Sequence, residues 1–452
     1  MKSATPKNLR AGVARRAITP EVGGELAGFD ARKGVSTGVH DDLFASALVL
    51  SDGDRTIALV SLDLIGVTQR FTDSVRHALK ASIGIDELDV ILCATHTHCA
   101  PATIQHFYDV DHRLDAGYME MLLPKVIEAV EDAFARQEEV VIKTGLVPVQ
   151  GIAKNRRTES GEPVDEVAGV ILVEDRQGRP RSIAVNYACH PTVLGPNTLE
   201  VTRDFPNYLV ERLEQHLGQS VIAMYFNGTE GDLSIGHKSN LSAVGVIASY
   251  RTFAKAKEIG ERLASFVIEA LDTLQPELPN LDIQHEVVRL PLKTYPPISE
   301  VQGAKQAAQS ALEKGERARA AGELEDEELV PLRQAWLFAR IDDYYSLLYE
   351  RTKPSEVLPV GVSVVRLGNT AIVFLPGEIF VEIGLAIRKQ SPLTRTMIVG
   401  LANDYIGYVH TVNATKESGY EVVASRVTPQ ASLILASESA FLLEKSLAAQ
   451  VD

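Results

Sequence analysis

Short apolar, β-branched runs recur along this chain, and each stops at a polar or glycine-bearing turn. Arg55 to Leu62 (RTIALVSL) stops at Asp63, and Val90 to Ala94 stops just before His96-Thr97-His98. Ile183 to Ala188 leads into Cys189-His190-Pro191, and Val221 to Phe226 into Asn227-Gly228 and then Glu230-Gly231-Asp232-Leu233-Ser234. Ala371 to Leu375 ends at Pro376-Gly377-Glu378, and Met397 to Leu401 at Asn403-Asp404-Tyr405, with Tyr408 just beyond. Runs of this length and composition predict buried strands. Between them, apolar residues return at helical spacing over 118–135, 208–217, 253–274 and 379–389.

Strands alternating with helices predict an α/β fold, a mixed sheet core flanked by helices. In such folds ligands gather where strands end and loops begin. Gln275 to Asn280 (QPELPN) is proline-rich and reads as a subdomain junction. Ser299 to Arg351 is charged and helical around Glu323 to Glu328 (ELEDEE), which predicts a helical hairpin inserted over 299–351, a solvated pair rather than a lid. The whole of 1–452 reads as one catalytic domain around that insertion.

Composition narrows the partners. Across 452 residues the formal net charge is −15, with no basic stripe, so nucleic acid is not an expected partner. No segment supplies about 18 uninterrupted apolar residues, so no membrane span is expected. The amino-terminal stretch lacks the apolar core of a secretion signal. The three cysteines, Cys93, Cys99 and Cys189, are an odd number that suits a reducing compartment, and the expected location is cytoplasmic. No feature specifies an oligomeric state.

The chemistry collects at the strand ends. In extended chain His96 and His98 face the same side, so both imidazoles can reach one cavity. Neutral imidazole is a common zinc ligand, although a His-x-His pair sharing hydrogen bonds at a strand end is also ordinary. His190 precedes a proline that keeps it extended. Glu378 lies between strand and helix; a cation would partner its carboxylate there, and so would a helix amino terminus. Cys99 and Cys189 adjoin histidines, but neighbours on a strand point to opposite faces, and small buried apolar cysteine is the better reading. Asp63 is a candidate for orienting a histidine, with a turn role as the alternative. Ser234, in Gly231-Asp232-Leu233-Ser234, is the alternative nucleophile, without a general base at readable spacing.

Taken in order, these segments resemble the catalytic domain of the neutral, non-lysosomal ceramidases, from Gly12-Val13-Ala14 and Ile18-Thr19-Pro20 to about Ser425. The family's Thr-His-Thr-His-Ser-Gly-Pro-Gly-Gly appears as Thr95-His96-Thr97-His98-Cys99-Ala100-Pro101-Ala102-Thr103, and its His-Pro-Thr as His190-Pro191-Thr192. Its Asn-Arg, Gly-Asp-x-Ser and Pro-Gly-Glu are similar to Asn155-Arg156, Gly231 to Ser234 and Pro376-Gly377-Glu378. Its Gly-Tyr-Val with a later tyrosine resembles Gly407-Tyr408-Val409 and Tyr420. The resemblance implies a zinc ion held by His96, His190, Glu378 and Tyr408, with His98 and Arg156 lining the site and Tyr420 at the scissile group. It implies hydrolysis of an N-acyl amide in a small-molecule or lipid substrate. A metal-dependent esterase or deacetylase acting on a polar metabolite is the alternative, as is a binding protein that keeps the fold. The sequence departs from the family at Cys99-Ala100, Ala102-Thr103 and Ile235-Gly236, and the family's carboxy-terminal immunoglobulin-like domain is not expected here.

Overall fold

The computed structural model describes residues 8–105 and 114–448. Residues 1–7, part of the stretch read above for a secretion signal, lie outside the described residues.

A nine-stranded mixed sheet forms the larger half of the core. Its order is Ile222–Asn227, Pro180–Tyr187, Val167–Asp175, Glu138–Pro148, Arg10–Ala17, Phe44–Ser51, Thr56–Leu62 and Val90–Ala94, with Gln275–Pro276 pairing on Glu138–Pro148. The two edges are parallel pairs, Thr56–Leu62 with Val90–Ala94 and Pro180–Tyr187 with Ile222–Asn227. The sheet curls so that these edges meet: Ser61 Oγ donates to Tyr225 O at 2.6 Å. A second sheet runs Leu281–Pro291, Val357–Leu367, Thr370–Phe374, Arg395–Val399 and stacks on the inner face of the first. The stretch 275–280 is where the chain passes between the two sheets.

The strand periodicity explains the unbroken apolar runs. In Thr56–Leu62, Ile57 and Leu59 enter the cluster between the sheets, while Ala58, Val60 and Leu62 pack against helices Gln69–Ile83 and Ala116–Ala135. Val90 and Leu92 likewise face the helices, and Ile91 and Cys93 the second sheet. Both faces are buried, so nearly every position is apolar, and the buried hydroxyl of Ser61 is satisfied by Tyr225 O. Helices Phe205–Leu217 and Phe253–Glu269 cover the other half of the large sheet. Val381–Gln390 and Gln430–Ala448 cover the second sheet from outside. The result is four layers, helix, sheet, sheet, helix, as the sequence pattern predicts in class.

Helix starts follow local chemistry. Thr68 caps Gln69–Ile83 by accepting from Phe71 N, and Asp115 caps Ala116–Ala135 by accepting from Tyr118 N. The expected hairpin forms helices Ile298–Ala320 and Asp326–Thr352. It is not a wholly solvated pair. Leu337, Ile341, Tyr344 and Tyr345 of its second helix are buried in the core, and Arg340 pairs with Asp30 at 2.7 Å. Among the described residues no helix is long and apolar enough to cross a membrane.

Candidate metal centre and active site

The carboxyl ends of five strands, Val90–Ala94, Pro180–Tyr187, Ile222–Asn227, Thr370–Phe374 and Arg395–Val399, converge on one point. Backbone bonds between their loops fix it: Ala94 N donates to Leu401 O at 3.1 Å, Ala402 N to Leu375 O at 3.0 Å and Gly400 N to Asn227 O at 3.1 Å. Asn227 joins them through its side chain, donating to Thr95 O at 3.1 Å and accepting from Cys189 N at 3.3 Å. The backbone is strained here, with positive φ at His96 (72°), Leu401 (55°) and Asn403 (64°).

His96 shares its Nδ1 proton with Ile65 O at 2.6 Å, which turns Nε2 to within 3.4 Å of Glu378 Oε2. His190 Nδ1 lies 2.7 Å from Glu230 O and 3.0 Å from Leu233 O, and its Nε2 lies 2.9 Å from Glu378 Oε2. Each imidazole is thus oriented by a backbone carbonyl, with the far nitrogen aimed at the centre. Glu378 and Tyr408 are brought side by side by a two-residue parallel pairing, Glu378–Ile379 with Tyr408–Val409. Glu378 is buried; burial alone would raise its pKa, but His96 and His190 outweigh that and hold the carboxyl well below its usual range.

His98 lies against His96, ring centroids 4.8 Å apart, and against Phe29 at the same 4.8 Å. Neither of its ring nitrogens has a hydrogen-bond partner. Burial, then His96 and His190, lower its pKa well below the imidazole norm, so the ring is neutral. Shape holds it: Gly28 has φ 94°, and a Cβ there would lie 2.3 Å from the His98 ring. Tyr408 accepts from Arg156 Nη2 at 3.2 Å, and Arg156 Nε donates to Glu421 Oε1 at 2.9 Å. Burial, then Glu378, push the Tyr408 phenol well up despite Arg156. The Tyr420 ring is 5.8 Å from that of Tyr408.

Two neighbours were not singled out from the sequence. Tyr405 donates to Glu378 Oε1 at 2.5 Å; it closes one of the apolar runs, which was the available signal. Glu230 is fully buried, and neither carboxylate oxygen has a partner. Donor atoms form two overlapping groups, His96 with His98 and His190, and His96 with Glu230 and Glu378, each within 4.8 Å of one another. His96 Nε2, both nitrogens of His98 and both oxygens of Glu230 are buried without hydrogen bonds, a costly state that a cation among them would relieve. The residues present therefore fit a bound metal.

Other candidates fall elsewhere. Asp63 Oδ2 accepts from Phe44 N at 2.9 Å, a turn role and not the support of a histidine. Burial, partly offset by Arg203, raises its pKa from 3.8 to about 6. A raised folded pKa favours the fold at low pH, and that advantage is lost as pH climbs from about 4 to about 6. Asp63→Asn removes this titration, so wild type should lose about 3 kcal/mol relative to the variant across that window, read from urea titrations at each pH. Ser234 Oγ donates to His237 O at 2.8 Å and accepts from Gly236 N at 3.0 Å, which uses the hydroxyl in a turn. Cys93, Cys99 and Cys189 are free and buried, and burial pushes the Cys99 thiol up to about 12.

A pocket opens over the centre, with Ala27, Phe29, Ile65, Ile104, Ala243 and Leu337 forming an apolar wall. His96, His98, Glu378, Tyr405, Tyr408 and Tyr420 supply its polar part. An apolar entry above convergent imidazole, carboxylate and phenol groups makes this pocket the candidate active site of a buried-centre α/β protein. The profile of the neutral/alkaline non-lysosomal ceramidase amino-terminal region matches residues 9–239, and the chain belongs to this family. The fold is shared with the crystal structure of a neutral ceramidase from Pseudomonas aeruginosa, at TM-score 0.75 and 18% identity over 98% of this chain and 75% of that one. A ceramidase complexed with C2 is similar, at TM-score 0.73 and 18% identity over the same shares.

Proposed function

We propose that this chain is a zinc-dependent hydrolase that cleaves the N-acyl amide bond of a substrate carrying an apolar chain. The observation that carries the reading is the set of buried, partnerless donor atoms on His96, His98 and Glu230 around Glu378. His96, His190, Glu378 and Tyr408 would hold the ion. Zinc, when bound, polarises an acyl carbonyl and acidifies water at neutral pH.

The chain's own groups do the rest. His98, neutral and with both nitrogens uncommitted, takes the proton of the attacking water and returns it to the departing amine. Tyr420 faces the pocket and donates to the developing oxyanion. Arg156, held by Glu421 and Gly231 O, keeps the Tyr408 oxygen in place and favours its ionised form. The wall built from Phe29, Ile65, Ile104 and Leu337 excludes water and suits an acyl or alkyl chain.

The test is elemental analysis of the purified chain beside a panel of N-acyl amides and matched esters of increasing acyl length. About one zinc per chain and amide cleavage that improves with acyl length are expected. Ester cleavage without amide cleavage would replace the amidase reading, and a chain that takes up no metal and cleaves neither would remove it.

A further inference from the structure

Glu230 is not among the ligands that the family resemblance implies, yet its position is unlike that of a structural acid. Its peptide oxygen already orients His190, accepting from Nδ1 at 2.7 Å. Its carboxylate turns toward the same centre, within 4.8 Å of the donor atoms of His96 and Glu378. It is 0% exposed, and both oxygens lack a hydrogen-bond donor. A second buried carboxylate beside Glu378 is electrostatically unfavourable while both are charged. A cation satisfies both oxygens at once and removes the repulsion between the two acids.

The geometry points to Glu230 as an additional direct contact of the metal, so that the centre presents two carboxylates and a phenol to the ion beside its imidazoles. This rests on the metal-centre reading above. The extra oxygen donor makes the site harder than two histidines, one glutamate and a tyrosine would be. Acceptance of Mn2+ and Co2+ beside Zn2+ follows, because carboxylate-rich sites suit harder ions. A Cβ on residue 400 would lie 3.0 Å from Glu230 Oε2, so glycine at that strand end leaves the carboxylate its place.

Glu230→Gln tests the assignment without relying on turnover. The full chain is stripped with a chelator and reloaded with Zn2+ in competition with a chromogenic chelator, and separately with Co2+ for its visible spectrum. The variant is expected to hold Zn2+ more than about a hundredfold more weakly than wild type, beyond what losing an outer hydrogen-bond partner gives. Its cobalt bands should change in position and intensity, since one oxygen leaves the ion. Equal Zn2+ retention with coincident cobalt spectra would overturn the role of Glu230 and leave the metal centre standing. Failure of wild type to load either ion would instead remove the metal reading itself. Should Glu230→Gln not fold, Glu230→Asp, which shortens the side chain by one methylene, is read in the same way: altered cobalt bands support the contact and unaltered bands overturn it.

Discussion

A His96→Ala, His190→Ala variant is expected to retain no zinc and to cleave none of the N-acyl substrates, while remaining folded. Both imidazoles are held by backbone carbonyls and not by side chains that carry the core: His96 by Ile65 O, His190 by Glu230 O and Leu233 O. Their removal deletes two aimed nitrogens and leaves the strands and their apolar contacts in place. Wild type should melt higher when zinc is added, by the linkage that stabilises any state binding a ligand, and the double variant should not respond. The comparison that gives the result meaning is His98→Ala. That variant should keep its metal and lose about 10²–10⁴-fold in turnover, the range for a positioned proton carrier. Metal loss in His98→Ala would make His98 a ligand, consistent with its membership of one of the two donor groups; full turnover would remove it from the reaction.

Glu421→Ala is expected to destabilise the protein by about 3–5 kcal/mol, because a buried ion pair that loses one partner leaves the other charge uncompensated. Glu421 accepts from Arg156 Nε through Oε1 and from Arg157 Nη1 through Oε2, both at 2.9 Å, and its side chain is 0% exposed. Guanidinium chloride titration measures the loss, and a change below about 1 kcal/mol would mean that water replaces the carboxylate. The pH dependence has a definite sign. Burial raises the pKa of Glu421, yet Arg156 and Arg157 outweigh it and hold it below the usual value. A depressed carboxylate stabilises above its unfolded pKa and loses that contribution as pH falls through its lower folded value. The gap between wild type and variant should therefore be full at neutral pH and close below about pH 4. Activity should fall as well, since Arg156 loses the partner that aims it at Tyr408.

The strand ends were legible because strands buried on both faces leave long apolar runs, and the residues that stop each run must face a loop. His96, His190 and Glu378 were found in that way and Tyr408 through the family resemblance, and the structure brings all four together. Asp63 shares the same signature and lies apart, because its carboxylate turns back to Phe44 N on the neighbouring strand. Periodicity gives the place where a strand ends but not the direction in which the next side chain turns. Glu230 stood in view within a Gly-Asp run, but its burial depends on loops from distant segments closing over it. Gly28 and Phe29 gave no sign at all, since the loop that carries them ends no apolar run. The hairpin over 299–351 was placed within a residue of its observed helices, Ile298–Ala320 and Asp326–Thr352, yet its contact with the core was not read. The apolar positions of the second helix are spread among charges, and only the partner surface distinguishes them.

Separation along the chain gives the centre a temporal character. His190 and Glu378 are 188 residues apart, and Arg156 and Glu421 are 265 apart. Contacts of such range close late in folding, after the entropy of large loops has been overcome. A nascent chain exposes its histidines to the cell long before Glu378 and Tyr408 have been synthesised. Under the proposed metal reading, selective capture of a cation would belong to the finished chain alone, and a premature stop between His190 and Glu378 would yield a product with the imidazoles but no centre.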